Sequence, residues 1–501
     1  MKHRDAYILL LAGFVTYGNY YCYDIPGALN TQLRDYIQSD YAKYQTQINL
    51  LYSVYSLPNI LIPFFGGILI DKLSPNVMII VFSLLVCTGQ AVFSIGTTYR
   101  NFELMLAGRL IFGLGAETLD VAQSNITARK FQTKGLAFAL ALNLSVARIA
   151  TAVNDILSPY IAANYSLPAS LWIGFAFCIA SFLAGLLLIY MTSNDNDYSL
   201  IEDASDDGND PDESHGKWSD LLSFGTSFWY LFWIIITLYG AVVPFFHVCT
   251  DFFQQKWKLD PQTAGKVLSV PDWISAVGSP LCGVLIDRHG KRSLLLPISV
   301  LIILIAHSFL TWTTLTPYIA MALIGIAYSL FASALWPCVP YLVERKYLGT
   351  AYGLLTAALN LALFTFPLIV AQIRLLTASD DFTGMQFFFI ALCMIALILS
   401  SILYVSDKNL GYRHPKHRFP RNLSDNLDYL IEENESESSD SREPLGTIVI
   451  ADGIIVTAPL SITNGAQSSI AALSYRSNFL LSLPTTDGFQ RIWYVNSRIV
   501  G

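Results

Sequence analysis

Charge is scarce in this sequence: 13% of the residues are Asp, Glu, Lys or Arg, against 53% that are hydrophobic. A 501-residue chain with so little charge cannot cover a water-exposed surface, so a soluble globule is excluded. Cysteine is present but unorganised. The seven thiols are odd in number, show no CxxC spacing and lie in or beside apolar blocks, which excludes a disulfide framework and a zinc site. P-loop, kinase and metal-ligand signatures are missing, as is any Ser-His-Asp arrangement. The stretch GLGAET (113–118) lacks the strand–turn–helix context of a nucleotide site. Neither enzyme chemistry nor a cofactor, metal or nucleic acid is expected. A leader-cleavage signal is also lacking: after MKHRDAYILL the apolar stretch runs on through Tyr21, which predicts an uncleaved first helix.

What the chain does have is apolar runs of the length needed to cross about 30 Å of hydrocarbon. They predict twelve transmembrane helices, at 6–26, 46–70, 76–97, 102–127, 136–162, 170–191, 227–253, 263–286, 293–313, 316–341, 350–376 and 383–406. The expected class is an all-α membrane protein of two six-helix halves, 1–191 and 227–406. An acidic linker, 192–226, joins them, and a tail at 407–501 is expected to be disordered. Residues 195–213 hold nine acids and no Lys or Arg, and 425–443 hold eight more, so these two stretches carry seventeen of the 37 acidic residues. Dense like charge with little hydrophobicity predicts solvated segments. Basic residues such as Lys72, Arg129, Lys130, Arg288, Lys291 and Arg345 gather in the loops on the amino-terminal side. The positive-inside rule therefore places both termini and the linker in the cytosol.

An internal repeat supports the division. Gly67-Ile-Leu-Ile-Asp71-Lys72 aligns with Gly283-Val-Leu-Ile-Asp287-Arg288 at an offset of 216 residues, each copy ending the second helix of its half. These residues resemble the loop motif of the major facilitator superfamily, and Gly108-Arg109-x-x-x-Gly113-x-Gly115 resembles that superfamily's fourth-helix motif. The favoured reading of Asp71 and Asp287 is structural: an inter-helix ion pair and a cap on the next helix. Further stretches, among them GNYYCYDIPGALNTQL, FGLGAETLDVAQ, SVARIATAVN and AYSLFASALWP, resemble the lysosomal dipeptide transporter subfamily over about residues 10 to 406. That resemblance implies uniport of dipeptides, especially cationic ones, from lysosome lumen to cytosol by alternating access. It also implies a glycosylated single-span lysosomal membrane protein as accessory subunit. A second copy of the chain in a homodimer and sorting adaptors are further expected partners.

Charges within the apolar runs are the candidate site. Glu117 lies twelve residues before Arg129, and Arg148 lies fourteen after Lys134. At 1.5 Å per residue both sit roughly 18 to 21 Å from the same loop, near the bilayer midplane. Each costs at least about 3 kcal/mol facing lipid, so they face a cavity or each other. A Glu117–Arg148 salt bridge that only stabilises the bundle is one reading. The other is a zwitterion clamp, in which Glu117 takes an α-ammonium and Arg148 a carboxylate. The resemblance matches its substrate-contacting Glu and Arg to these positions, with Asn154 at the family's spacing and Asp24 matched as well. Asp120, His247, Asp251 and Asp272, where the resemblance lapses, are expected to tune cationic preference, to take protons or to line a wet vestibule; Asp155 is read the same way. Tyr52, Tyr55 and Trp336 are the favoured aromatic walls, with Tyr20, Tyr21, Tyr23 and Tyr328 behind them. Pro58, Pro244, Pro271, Pro280 and Pro337 are expected to kink gating helices.

Tyr198-Ser-Leu-Ile201, in the acidic linker, has the YxxΦ form of an endosomal and lysosomal sorting signal. The Leu430-Ile431 pair lacks the upstream acid of a dileucine signal. Residues 447–501 hold short β-prone runs with no functional account. A proton-coupled transporter of another organic solute, and a membrane sensor or scaffold that transports nothing, remain alternatives.

Overall fold

Long apolar runs become helices here because a bilayer leaves backbone N–H and C=O groups no partner except one another. The computed structural model describes the backbone of residues 3–72, 75–131, 136–193, 224–289, 292–343, 348–378, 380–409, 445–450, 455–459, 479–483 and 491–495. The first half opens with α1 (His3–Val15), α2 (Tyr17–Tyr23), α3 (Ile25–Ala28) and α4 (Asn30–Ile37). It continues with α5 (Tyr41–Lys72), α6 (Pro75–Thr98), α7 (Phe102–Phe131), α8 (Leu136–Asn164) and α9 (Leu167–Ser193). The second half comprises α10 (Thr226–Trp257), α11 (Pro261–His289), α12 (Arg292–Trp312), α13 (Pro317–Leu335), α14 (Leu348–Leu376) and α15 (Thr383–Asn409). A 3₁₀ segment, Trp336–Tyr341, follows α13. Pro75, Pro261 and Pro317 open their helices, where a missing N–H loses nothing.

Twelve crossings result, with α1 to α3 forming the first. Among the described residues, eight helices are long and apolar enough to cross a membrane. The other four crossings are interrupted or carry polar groups, as α8 with Arg148 and Asp155 does among the eight. The first is interrupted, α5 buries Gln45, Asn49, Ser53, Ser56 and Asn59, α7 carries Arg109, Glu117 and Asp120, and α11 carries Lys266 and Asp272. All four contribute to the site described below.

Each half has its own apolar core. Tyr21, Ile48, Phe93, Phe112 and Leu171 lie in one, and Phe228, Phe245, Ile303, Phe331 and Phe389 in the other. The halves meet mainly where α5 packs on α14 and α8 packs on α11. In each pair the second crossing of one half meets the fifth of the other, as a repeated unit about a pseudo-two-fold axis requires. Backbones approach closely both between and within the halves. Between α8 and α11 a Cβ at Gly265 would run into the Asp155 carbonyl, and within the first half one at Gly113 of α7 would stand 3.1 Å from Tyr55 Cα of α5.

The proline expectations divide. The helices run through Pro58, Pro244, Pro271 and Pro280. Only at Trp336-Pro337 does the α-helix give way, to a 3₁₀ turn. The unexpected break is in the first crossing, at Thr16 and again at Asp24 and Leu29.

Residues 415–501 form a unit of their own. The β-prone runs of the tail pair into an antiparallel sheet: β1 (Leu445–Ile450), β2 (Ile455–Pro459), β3 (Phe479–Leu483) and β4 (Arg491–Val495), in the order β2-β1-β3-β4. Ile448 faces Val456 and Leu481 in register, and Leu481 faces Trp493. β-branched and aromatic cross-strand pairs favour such pairing.

Candidate functional site

The break in the first crossing begins with Pro26. Lacking an N–H, it cannot satisfy the Cys22 carbonyl one turn earlier. The Tyr23 carbonyl is left over as well, because the Gly27 N–H donates to the Tyr52 hydroxyl at 2.7 Å. Arg109 of α7 fills both gaps, donating from Nη1 to the Cys22 carbonyl at 3.3 Å and from Nη2 to the Tyr23 carbonyl at 3.0 Å. The guanidinium is fully buried and lies over the rings of Tyr23, Tyr52, Tyr55, Phe93 and Phe112, 5.2 to 5.8 Å from their centroids. A planar fork of donors suits two diverging carbonyls, and stacking on π faces compensates part of its lost hydration. Arg109 therefore builds the bend that turns Asp24 toward the interface.

At mid-depth Arg148 does not bond Glu117. It reaches across to the second half, where Nη1 meets Asp272 Oδ1 at 3.4 Å and Nη2 donates to the Tyr328 hydroxyl at 2.5 Å. Its guanidinium stands 4.4 Å from the Tyr328 ring centroid. The salt bridge weighed from sequence is thus replaced by one between halves. The residue spacing gives depth along a helix but not which way the side chain turns, and Arg148 turns toward α11 and α13. Asp24 and Asp155 lie within electrostatic reach of Asp272. Asp155 is 1% exposed; its Oδ1 accepts from Asn154 at 3.2 Å and its Oδ2 has no hydrogen-bond partner among the described residues.

Glu117 makes no ion pair among the described residues. It is half-buried, with Asp120 as a neighbouring charge and Tyr55, Tyr23 and Tyr20 around it. Asp120 in turn neighbours Tyr20 and Arg148. Asn154 is buried and committed on both sides, accepting from Ser158 at 2.7 Å and donating to Asp155. Tyr52 and Tyr55 are buried too. Tyr52 stacks on His247 at 3.4 Å between centroids, within the packed interior. Trp336 is half-buried where α13 ends, donating to the Tyr239 hydroxyl at 3.0 Å and stacking over Tyr352. Gly283 has nothing within 4 Å of where a Cβ would stand. Gly67, Asp71, Asp287 and Arg288, in the repeat motif, lie outside the residues whose side chains are described, and Tyr198 and Ile201 lie outside the described residues altogether.

Toward the face opposite the start of α1, a ladder of hydrogen bonds ties the halves together. Asn30 donates to the His247 carbonyl at 3.0 Å, Thr250 to the Gly27 carbonyl at 2.7 Å and Thr31 to Gln254 at 2.8 Å. Tyr41 donates to Asp251 at 2.7 Å and accepts from Arg374, whose ring contact is Phe382 at 3.8 Å. Tyr41, Thr31 and Arg374 escaped the sequence reading. Arg374 sits at the end of an apolar run, where an interfacial cation is the ordinary expectation. That face is thus tied together beyond a mid-depth cluster of charges.

Known proteins match this chain at two levels. The sequence pattern of the Major Facilitator Superfamily matches residues 9–367 and again 246–459. The lysosomal dipeptide transporter MFSD1 of Homo sapiens is 35% identical over 422 residues, covering 82% of this chain and 88% of that protein. Its counterparts from Mus musculus and Danio rerio are 34% and 32% identical over similar spans, 82% and 80% of this chain. Among solved structures, a mutant of the nucleoside transporter NupG superposes with a TM-score of 0.61 at 13% identity. It covers 79% of this chain and 99% of that one. At that identity the likeness concerns the fold alone.

Proposed function

The chain belongs to the major facilitator superfamily, and we propose that it is a lysosomal multi-pass transporter that moves dipeptides from lumen to cytosol by alternating access. It is a carrier, not an enzyme. The observation that carries this reading is the charge layout at mid-depth. Arg148 lies between the halves with its donors split over Asp272 and Tyr328, while Glu117 stands without an ion-pair partner among the described residues. A zwitterion with its ends apart can engage both, the carboxylate on Arg148 and the α-ammonium on Glu117. With the termini in the cytosol, the face shut by the Tyr41–Asp251 ladder is luminal, so the structure corresponds to a carrier closed to the lumen. Cationic preference fits the surplus of carboxylates around Arg148, and uniport fits a cycle that the dipeptide alone drives. A glycosylated accessory subunit and sorting adaptors complete the reading.

Proteoliposomes test it directly. Wild type should take up dipeptide, and Arg148→Ala should lose at least tenfold in dipeptide affinity while still being made and folded. Wild-type uptake by Arg148→Ala removes the clamp from the mechanism.

A proton-coupled cycle is the second reading, favoured by the five carboxylates Asp24, Glu117, Asp120, Asp155 and Asp272 in one region of the membrane interior. Voltage clamp with a neutral dipeptide at several pH values separates the two. Uniport carries no accompanying proton current.

A further inference from the structure

Arg148 and Asp272 form an ion pair whose geometry is poor for its setting. A buried guanidinium facing a carboxylate ordinarily closes to about 2.7–2.9 Å and uses two donors. Here one donor meets Asp272 at 3.4 Å and the other has gone to a phenol. Both groups are largely enclosed, the Arg148 side chain 19% exposed and the Asp272 side chain 7%. Removing two charges from water is repaid only by a close and fully bonded pair, so this one is built to be separable.

The surroundings of Asp272 point the same way. Asp24, at the break before α3, and Asp155 of α8 are its electrostatic neighbours, so carboxylates from both halves gather around Asp272, and Asp24 also feels the charge of Arg148. Asp155 adds an independent observation, since its Oδ2 is buried and has no hydrogen-bond partner among the described residues. Buried acceptors in native proteins are normally satisfied, and a carboxylate oxygen left over in a ligand-binding region marks where a donor arrives.

We infer that Asp272 is an internal stand-in for the substrate's carboxylate. In the empty carrier it holds Arg148 and ties α8 to α11. A dipeptide carboxylate displaces it from the guanidinium, and the freed Asp272 then joins Asp24 and Asp155 as an anionic subsite for a cationic side chain. This rests on the proposed dipeptide reading. It assigns Asp272 two opposed effects: it competes against every dipeptide at Arg148, and it rewards those that bring a second cation. Asp272 is a specificity residue, and the exchange links substrate binding to release of an inter-half contact.

Affinities of alanyl-alanine and alanyl-lysine for the purified full-length protein test this. Asp272→Asn removes the competing charge and keeps the shape. Alanyl-alanine should bind at least threefold more tightly than to wild type. Alanyl-lysine should lose its advantage, so the ratio of the two affinities falls by tenfold or more. Asp272→Glu, which keeps the charge, should restore the ratio; it is scored alone if the Asn variant does not fold, when a ratio tenfold below that of wild type overturns the inference. An Asp272→Asn variant whose two affinities move by the same factor, or not at all, while Arg148→Ala still loses tenfold or more in affinity, overturns it too. Wild type that binds neither dipeptide fails the transport reading beneath.

Discussion

Residue by residue, the site separates charges that are satisfied from charges that are waiting. Arg109 is satisfied, with two carbonyls and a ring cage. Glu117 has no such arrangement, and its neighbour Asp120 repels it. Replacing Glu117 by Gln keeps shape and removes charge. If Glu117 meets the α-ammonium, the loss of one charge-assisted contact should amount to about 1.5–3 kcal/mol, or roughly ten- to a hundredfold in affinity. Dipeptides acetylated at the amino terminus should bind wild type equally poorly and lose little more in Glu117→Gln. That non-additivity, measured as a double cycle of ligand and protein, is the expected outcome. Fully additive losses would move the ammonium to Asp120 or Asp155. Since Arg148 bonds the second half and not Glu117, Glu117→Gln should also leave thermal stability close to wild type.

Among the elements, the broken first crossing decides where the charges can meet. Pro26 ends α2, Tyr52 takes the Gly27 N–H, and Arg109 takes the two carbonyls left behind. Arg109→Ala orphans both, at roughly 1–3 kcal/mol each, so its melting temperature in detergent should fall by several degrees. Arg109→Lys should fall nearly as far, because a single ammonium cannot span two diverging acceptors. An unaltered melting temperature in both would show that the bend holds without its cap. The motif Gly108-Arg109-x-x-x-Gly113 was legible in the sequence, but its function was not. The signal that pairs it with the first crossing is Pro26, whose missing N–H creates an acceptor that some distant donor must fill.

For the molecule as a whole, the ladder on the face opposite the start of α1 makes closure a property of many small bonds. Thr31 and Gln254 stand across it at 2.8 Å. Cysteines at both positions, bridged by a short bifunctional thiol reagent, should hold that face shut and abolish uptake, with either single variant transporting after the same treatment. Uptake by the bridged protein would mean the face does not need to open. Location is a separate property of the chain. Tyr198 lies in the linker outside the described residues, and Tyr198→Ala should shift the protein toward the plasma membrane in microscopy, since adaptors read the tyrosine side chain. Unchanged lysosomal localisation would assign sorting to a partner or to the Leu430-Ile431 region.

Hydropathy and repetition by themselves determined the fold: twelve crossings, two halves and the 216-residue offset follow from a solvent that forces apolar helices of one length. The sequence also determined which residues are anomalous in that solvent, because Glu117, Arg148 and Asp272 are costly wherever they point. Only the tertiary structure decided their partners. Spacing fixes depth along one helix, whereas pairing depends on how two helices far apart in sequence are rotated against each other. That rotation turned Arg148 away from Glu117 and onto Asp272 and Tyr328. It also assigned Arg109 to the backbone of a helix 86 and 87 residues earlier, where Pro26 and the Gly27–Tyr52 hydrogen bond had left two carbonyls without donors.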